Sequence, residues 1–166
     1  MAGELIFTEK EAAFLRALVG NGVAFMVVGL ASATLQGAPA VTQDVDLWFR
    51  DLSDPGVRKA LEKVGAAYVP PIGTNPPMFA GKGVALFDIV LHMHGLRSFD
   101  AEFRHAIEVD LGGVKIKLLP LARIIASKKA AGRPKDKLTL PVLESALAAI
   151  RERSRKRGKP GRRGGG

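Results

Sequence analysis

Val23 to Val28 (VAFMVV) is apolar at every position and is bounded by Gly22 and Gly29. A run this short, partly β-branched and closed by glycine on both sides reads as a buried strand. A buried strand commits the chain to a sheet, and the flanking segments must supply its partners and its cover. Upstream, Thr8 with Glu11 three residues later forms a capping box. The helix it opens carries Ala12, Phe14, Leu15, Leu18 and Val19 on a broad apolar stripe and stops at Gly20-Asn21-Gly22. Downstream, Gly29 turns the chain into a small-residue segment, Leu30 to Gln36, expected as a short helix ended by Gly37.

The same reading continues along the chain. Val45 to Phe49 is a second strand, and Ser53-Asp54-Pro55 opens a helix to about Val64 with proline at the first helical position. Ala66 to Val69 is expected as an edge strand, Pro70 to Lys82 as a Pro- and Gly-rich loop, and Val84 to Met93 as a strand. Ser98 caps a short helix through His105. Ala106 to Leu111 and Val114 to Leu118 flank Gly112-Gly113, a hairpin signal, and helices are expected over Leu118 to Ala131 and Leu140 to Arg151. Strands and helices mix, with one clear hairpin. The fold class that follows is α+β (or α/β), a mixed β-sheet with flanking helices.

A chain of 166 residues, 47% hydrophobic, is long enough for one domain with a sizeable core. Its net charge of +9 is unevenly spread: residues 151–166 hold eight of the 25 basic side chains and one of the 16 acidic ones, leaving 17 against 15 elsewhere. The expected organisation is a folded domain over residues 1–151 and a disordered basic tail over 152–166, which has no apolar residue to bury. Such a tail attracts phosphate backbones non-specifically, which raises RNA or tRNA as a partner. A solubilising role is the equal alternative. The chain has no cysteine, so disulfides and thiolate-bound zinc are excluded. MAGELIFTEK lacks the pattern of a secretory signal, and no stretch reaches the roughly 18 apolar residues that cross a bilayer. A soluble, cytoplasmic protein without membrane contact is expected.

The segment VTQDVDLWF holds Asp44 and Asp46. Two apart on a strand, they share a face. Like charges that close repel, and a divalent cation relieves the repulsion. Magnesium takes one or two carboxylates and completes its shell with phosphate oxygens and water. Asp88 interrupts an apolar strand, where a charge needs a partner or a metal. If the two strands are neighbours, three carboxylates converge. On spacing alone, a solvent-facing pair and an edge carboxylate are equally good readings. Gly29 sits between a buried strand and a helix start, where free backbone N–H groups suit a phosphate and Ser32 adds a hydroxyl. Alone, such a glycine is also an ordinary turn.

Taken together, VVGLASATLQGAPAVTQDVDLWF resembles the signature of nucleotidyltransferase-fold proteins. In these a strand ends in Gly-Gly or Gly-Ser, and a short helix, a second glycine and a Thr-x-Asp-x-Asp strand follow. Further on, IKLLPLARIIASKKAAGRPKDK is similar to the later block of the abortive-infection (AbiEii-like) nucleotidyltransferase toxins and related proteins. The resemblance covers roughly residues 20–150. It implies a nucleotidyltransferase fold and transfer of a nucleoside monophosphate from a triphosphate such as ATP to a hydroxyl of RNA, protein or a small molecule. Asp44, Asp46 and Asp88 would be catalytic and hold magnesium (or manganese). Gly29, Leu30, Ser32, Lys129, Arg133 and Lys135 would meet the nucleotide. A toxin-like role with an antitoxin-type protein partner is a further implication. The sequence departs from the pattern at Leu30, where relatives carry Gly or Ser, at Ala40, where many carry Arg, and at Lys137-Leu138-Thr139, where an acidic residue is common. These departures define the alternative: a catalytically impaired module of the same fold that binds RNA or a protein.

Two further features carry ordinary readings. His92 and His94 share a strand face with Asp88, but the remaining ligands of a zinc site are not visible, and a polar strand end is favoured. Trp48 is expected to pack in the core rather than stack on a base.

Overall fold

The computed structural model describes residues 7–158. The elements run α1 (Glu9–Gly20), β1 (Phe25–Val28), α2 (Gly29–Leu35), β2 (Val45–Phe49), α3 (Pro55–Lys63), β3 (Ala67–Val69), β4 (Met78–Ala80), β5 (Phe87–Val90), α4 (Phe99–Phe103), β6 (Ile107–Leu111), β7 (Val114–Leu118), α5 (Leu121–Ala131) and α6 (Pro134–Arg157). Five strands form one sheet in the order β5-β2-β1-β7-β6. It is mixed: β1 is antiparallel to β2 and parallel to β7, β2 is parallel to β5, and β6–β7 is the antiparallel hairpin. The α+β class with a mixed sheet between helices is therefore as expected.

β1 is buried at all four positions because both faces of the sheet are covered. Strand alternation sends Phe25 and Val27 into one core with Phe14 and Leu18 of α1 and Val57 and Leu61 of α3. It sends Met26 and Val28 into a second core with Ile124 and Ile125 of α5 and Leu143 of α6. Each large apolar side chain so buried contributes about 1.5–3 kcal/mol. The capping box that opens α1 is formed in both directions, Glu11 N donating to Thr8 Oγ1 at 3.2 Å and Thr8 N to Glu11 Oε1 at 3.3 Å. Gly112 and Gly113 both take positive φ, 64° and 87°, as a tight two-residue hairpin turn requires.

Four expectations need correction. The segment Pro70 to Lys82, read as loop, contains the strand β4, which pairs with β3 in a separate two-stranded sheet. Phe79 of β4 is 3% exposed and packs on Phe14 and Phe49 at centroid distances of 5.5 and 5.8 Å. That burial holds a strand only three residues long, whose local pattern is masked by the prolines around it. β5 covers only Phe87–Val90 of the strand expected over Val84 to Met93; Val84 accepts a turn bond from Phe87 N. α5 begins at Leu121, because Leu118 ends β7 and Pro120 caps the helix. α6 begins at Pro134 rather than Leu140 and continues to Arg157, so the boundary expected at 151 falls inside a helix. Proline at the first helical position pre-sets its start. Pro141 is tolerated in the helix on an exposed face, where the carbonyl that loses its partner stays near water. Residues 159–166, the remainder of the basic tail, lie outside the described residues. Among the described residues no helix is long and apolar enough to cross a membrane.

Candidate active site

β1 ends at Val28, whose register partner on β2 is Asp46. The next residue, Gly29, takes φ +66°, and a Cβ there would come within 2.7 Å of Asp46 Oδ2. Both facts call for glycine: left-handed backbone is costly for other residues, and a side chain would press on the carboxylate. Gly29 opens α2, and no side chain caps that helix start.

On β2, alternation turns Val45, Leu47 and Phe49 into the first core and Trp48 into the second. Asp46 faces the same way as Trp48. It pairs across the parallel β2–β5 ladder with Asp88, so the two carboxylates share a face. Asp44 precedes the strand, in a turn where Thr42 Oγ1 donates to Asp44 O at 2.7 Å. The three carboxylates line one cleft of about 440 Å³ together with Gly29 and Leu30. Asp44 and Asp88 are exposed and Asp46 is half-buried. Burial, and then the charges of Asp88 and Asp44, push the Asp46 carboxyl above its usual 3.8, with Lys128 and Lys135 pulling the other way. Burial and then Asp44 raise Asp88 likewise.

The opposite wall is basic. Lys128 near the end of α5, Arg133 in the turn and Lys135 in the first turn of α6 all line the cleft. The turn is set by Gly132, whose φ of 59° ends α5 in the left-handed conformation. Beneath it Asp136 is fully buried. Arg133 Nε donates to Asp136 Oδ2 at 2.7 Å, and Lys128 Nζ donates to Oδ1 at 3.2 Å. Burial alone would raise the Asp136 pKa; hydrogen bonds from Arg133 and Lys128 and their charges outweigh it and hold it at about 2. One buried carboxylate thus ties together two cations that face the cleft.

The residues anticipated from sequence divide accordingly. Asp44, Asp46, Asp88, Gly29, Leu30, Arg133 and Lys135 come together at the cleft. Ser32 and Lys129 do not. Ser32 is fully buried, its Oγ donating to Leu119 O at 2.9 Å and accepting from Gln36 Nε2 at 3.0 Å. It fastens α2 to the end of β7. Lys129 is exposed and pairs with Glu144 Oε1 at 2.8 Å on the far side of α5. Its neighbour Lys128 holds the cleft position. Adjacent helical residues point about 100° apart, so choosing between them requires knowing where α6 packs. Asp136 also escaped the sequence reading, although its place three residues after Arg133, with Pro134 between, is a helix-start signal. His92 and His94 lie beyond β5 on the cleft wall, their rings edge-to-face at 5.4 Å. Trp48 is 5% exposed and packs edge-to-face on Phe99 at 5.4 Å, a core residue as expected.

The donor set on the acidic wall is hard oxygen, which suits magnesium or manganese rather than a thiophilic metal. Among the described residues no three His, Cys, Asp or Glu side chains stand close enough to enclose an ion as they are. One or two of these carboxylates could hold such a cation only with phosphate oxygens and water completing its shell. The cleft therefore combines an acidic wall suited to a cation with a basic wall suited to phosphate.

No family model matches the chain, and no curated protein matches it. Solved structures do. ANT(2″)-Ia in complex with adenylyl-2″-tobramycin superposes with a TM-score of 0.53 at 14% identity, covering 86% of this chain and 95% of that one. An antigenic nucleotidyltransferase-like protein from Paracoccidioides brasiliensis gives 0.52 at 18% identity, over 84% and 75% of the two chains. At these identities the likeness is one of fold: the chain has the mixed sheet and flanking helices of nucleotidyltransferases.

Proposed function

We propose that this protein is a metal-dependent nucleotidyltransferase that moves a nucleoside monophosphate from a nucleoside triphosphate to a hydroxyl. The observation that carries the reading is the meeting of Asp44, Asp46 and Asp88 with Lys128, Arg133 and Lys135 across one cleft, in a fold shared with nucleotidyltransferases. One of the similar structures holds an adenylylated tobramycin.

Each residue has a chemical task. Asp46, with Asp44 and Asp88 beside it, holds magnesium or manganese; the bound cation supplies charge neutralisation at the transferring phosphoryl group and at the leaving oxygen. Lys128, Arg133 and Lys135 bind the phosphates and stabilise the charge that builds on pyrophosphate. Gly29 lets the backbone approach the phosphates at the start of α2. Asp88, exposed on the edge strand β5, accepts the proton of the attacking hydroxyl. The hydroxyl oxygen forms a bond to the α-phosphorus, the bond from that phosphorus to the bridging oxygen breaks, and pyrophosphate leaves with the electron pair. Asp136 acts through others: it fixes Lys128 and Arg133.

The test is calorimetric binding of ATP, CTP, GTP and UTP, each with and without magnesium, to the wild type and to Asp44→Ala/Asp46→Ala. Magnesium-dependent binding of one nucleotide, lost in a variant with unchanged circular dichroism, supports the proposal. Equal binding by the variant sinks it.

A second reading, a module that no longer transfers nucleotides, is favoured by Leu30 on the cleft wall and by Ser32 being turned away from it. Metal-independent RNA binding with no nucleotide binding would select it. The basic residues at and beyond the end of α6 are the candidate RNA contact, and deletion of residues 152–166 tests them by RNA affinity at low salt. A toxin-like role with an antitoxin-type partner predicts growth arrest on expression that Asp46→Asn relieves.

A further inference from the structure

His92, His94 and Ser127 line the cleft but have no task in the transfer described above. Beyond Val90 the chain leaves the sheet, yet His92 and His94 stay on the cleft wall. Gly95, at φ +71°, brings this segment against α5: a Cβ there would run into the Cβ of Ala130. Val90 and Met93 pack on the buried cluster that includes Ile124 of α5. Ser127, on the same helix, is 6% exposed and lines the cleft, and no hydrogen bond among the described residues engages its hydroxyl. None of these residues is acidic, and the neighbouring Lys128 turns its ammonium to Asp136. One end of the cleft is therefore apolar with three uncommitted polar side chains.

We infer that this end seats the base of the nucleoside triphosphate, and that His92, His94 and Ser127 decide which base is taken. The inference rests on the nucleotidyl-transfer reading and supplies the base recognition that reading leaves open. Three observations carry it. The cleft, of about 440 Å³, is the size of a site for one small molecule, so its charged stretch and its apolar end meet two parts of the same ligand. The carboxylates and cations account for the triphosphate and its metal; the part left for the apolar end is the base. A base is apolar on its faces and carries donors and acceptors at its rim. Val90, Ile124 and the adaptable thioether of Met93 suit the faces, while an imidazole or a hydroxyl can donate or accept at the rim. The two imidazole rings stand edge-to-face at 5.4 Å with their planes 84° apart. One can lie flat on the base while the other directs a ring nitrogen at its edge. Stacking tolerates any base; hydrogen bonds at the rim do not, so the second imidazole and Ser127 set the preference.

The test is calorimetry on the full-length protein with two kinds of probe. Magnesium tripolyphosphate carries the charged part alone; the magnesium salts of ATP, CTP, GTP and UTP add the nucleoside. The variants are His92→Ala/His94→Ala, whose side chains are exposed, and Ser127→Ala, each checked for its fold by circular dichroism. The wild type is expected to prefer one nucleotide. The histidine variant binds that nucleotide at least about fivefold more weakly, the loss of one base–aromatic stack. Ser127→Ala narrows the preference among the four, and tripolyphosphate binds both variants as it binds the wild type. Equal weakening of nucleotide and tripolyphosphate in the histidine variant would put the imidazoles on the phosphates and overturn the inference. Unchanged nucleotide affinity and preference in both variants would overturn it too, leaving nucleotidyl transfer standing. Binding of neither probe by the wild type removes the transfer reading itself, and the base seat with it.

Discussion

Asp136→Asn tests whether one buried carboxylate organises the basic wall. Asp136 is fully buried, and its two partners differ in access to water: the Lys128 side chain is 13% exposed and that of Arg133 53%. In Asp136→Asn the Arg133 guanidinium can turn to solvent, whereas the Lys128 ammonium is left near an uncharged amide. Removing one partner of a fully buried pair costs about 3–5 kcal/mol; the exposure of Arg133 places this site below that range. The drop in pKa from 3.8 to about 2 corresponds to about 2 kcal/mol. The sign follows from a depressed carboxylate: its stabilisation is full above the unfolded pKa and is lost as pH falls through the folded one. The difference in urea unfolding free energy between wild type and Asp136→Asn is therefore about 2 kcal/mol at pH 7. It is about half that at pH 3. A difference below about 0.5 kcal/mol at pH 7, or one that stays constant from pH 6 to pH 3, refutes the reasoning. In the same variant magnesium-nucleotide affinity falls, because Lys128 and Arg133 are no longer held together.

Three other outcomes follow from the same geometry. Gly29→Ala forces a left-handed alanine against Asp46 Oδ2; it costs about 1–2 kcal/mol in unfolding free energy and weakens nucleotide binding, read by denaturation and calorimetry. Ser32→Ala leaves the carbonyl of Leu119 with Gln36 as its side-chain donor; it costs about 1 kcal/mol and leaves nucleotide affinity unchanged, whereas a loss of affinity would return Ser32 to the site. Asp46, raised by burial and by Asp88 and Asp44, titrates above 3.8 by carboxyl NMR, and Asp88→Asn moves its midpoint down. A protonated Asp46 cannot hold a cation, so magnesium-dependent binding weakens as pH falls through that raised midpoint; a midpoint at or below 3.8 contradicts the electrostatics.

Much of this protein was legible along the chain because the signals were local. The run VAFMVV closed by glycine, the Thr8–Glu11 box and Gly112-Gly113 each act within a few residues, where backbone geometry decides the outcome, and the two-residue spacing keeps Asp44 near Asp46 although Asp44 lies in the turn before β2 rather than on the strand. These determined the class of fold, the central strand and two of the three carboxylates that share a wall. The tertiary structure decided everything that depends on which surfaces meet. Parallel pairing of β2 with β5 is what brings Asp88 beside Asp46, and no residue near either encodes that pairing. Burial of Phe79 makes a strand out of a Pro-rich segment. The packing of α6 on α5 chooses Lys128 over Lys129 for the cleft and closes Asp136 away from water, because the direction of a helical side chain acquires meaning only from the neighbour it faces.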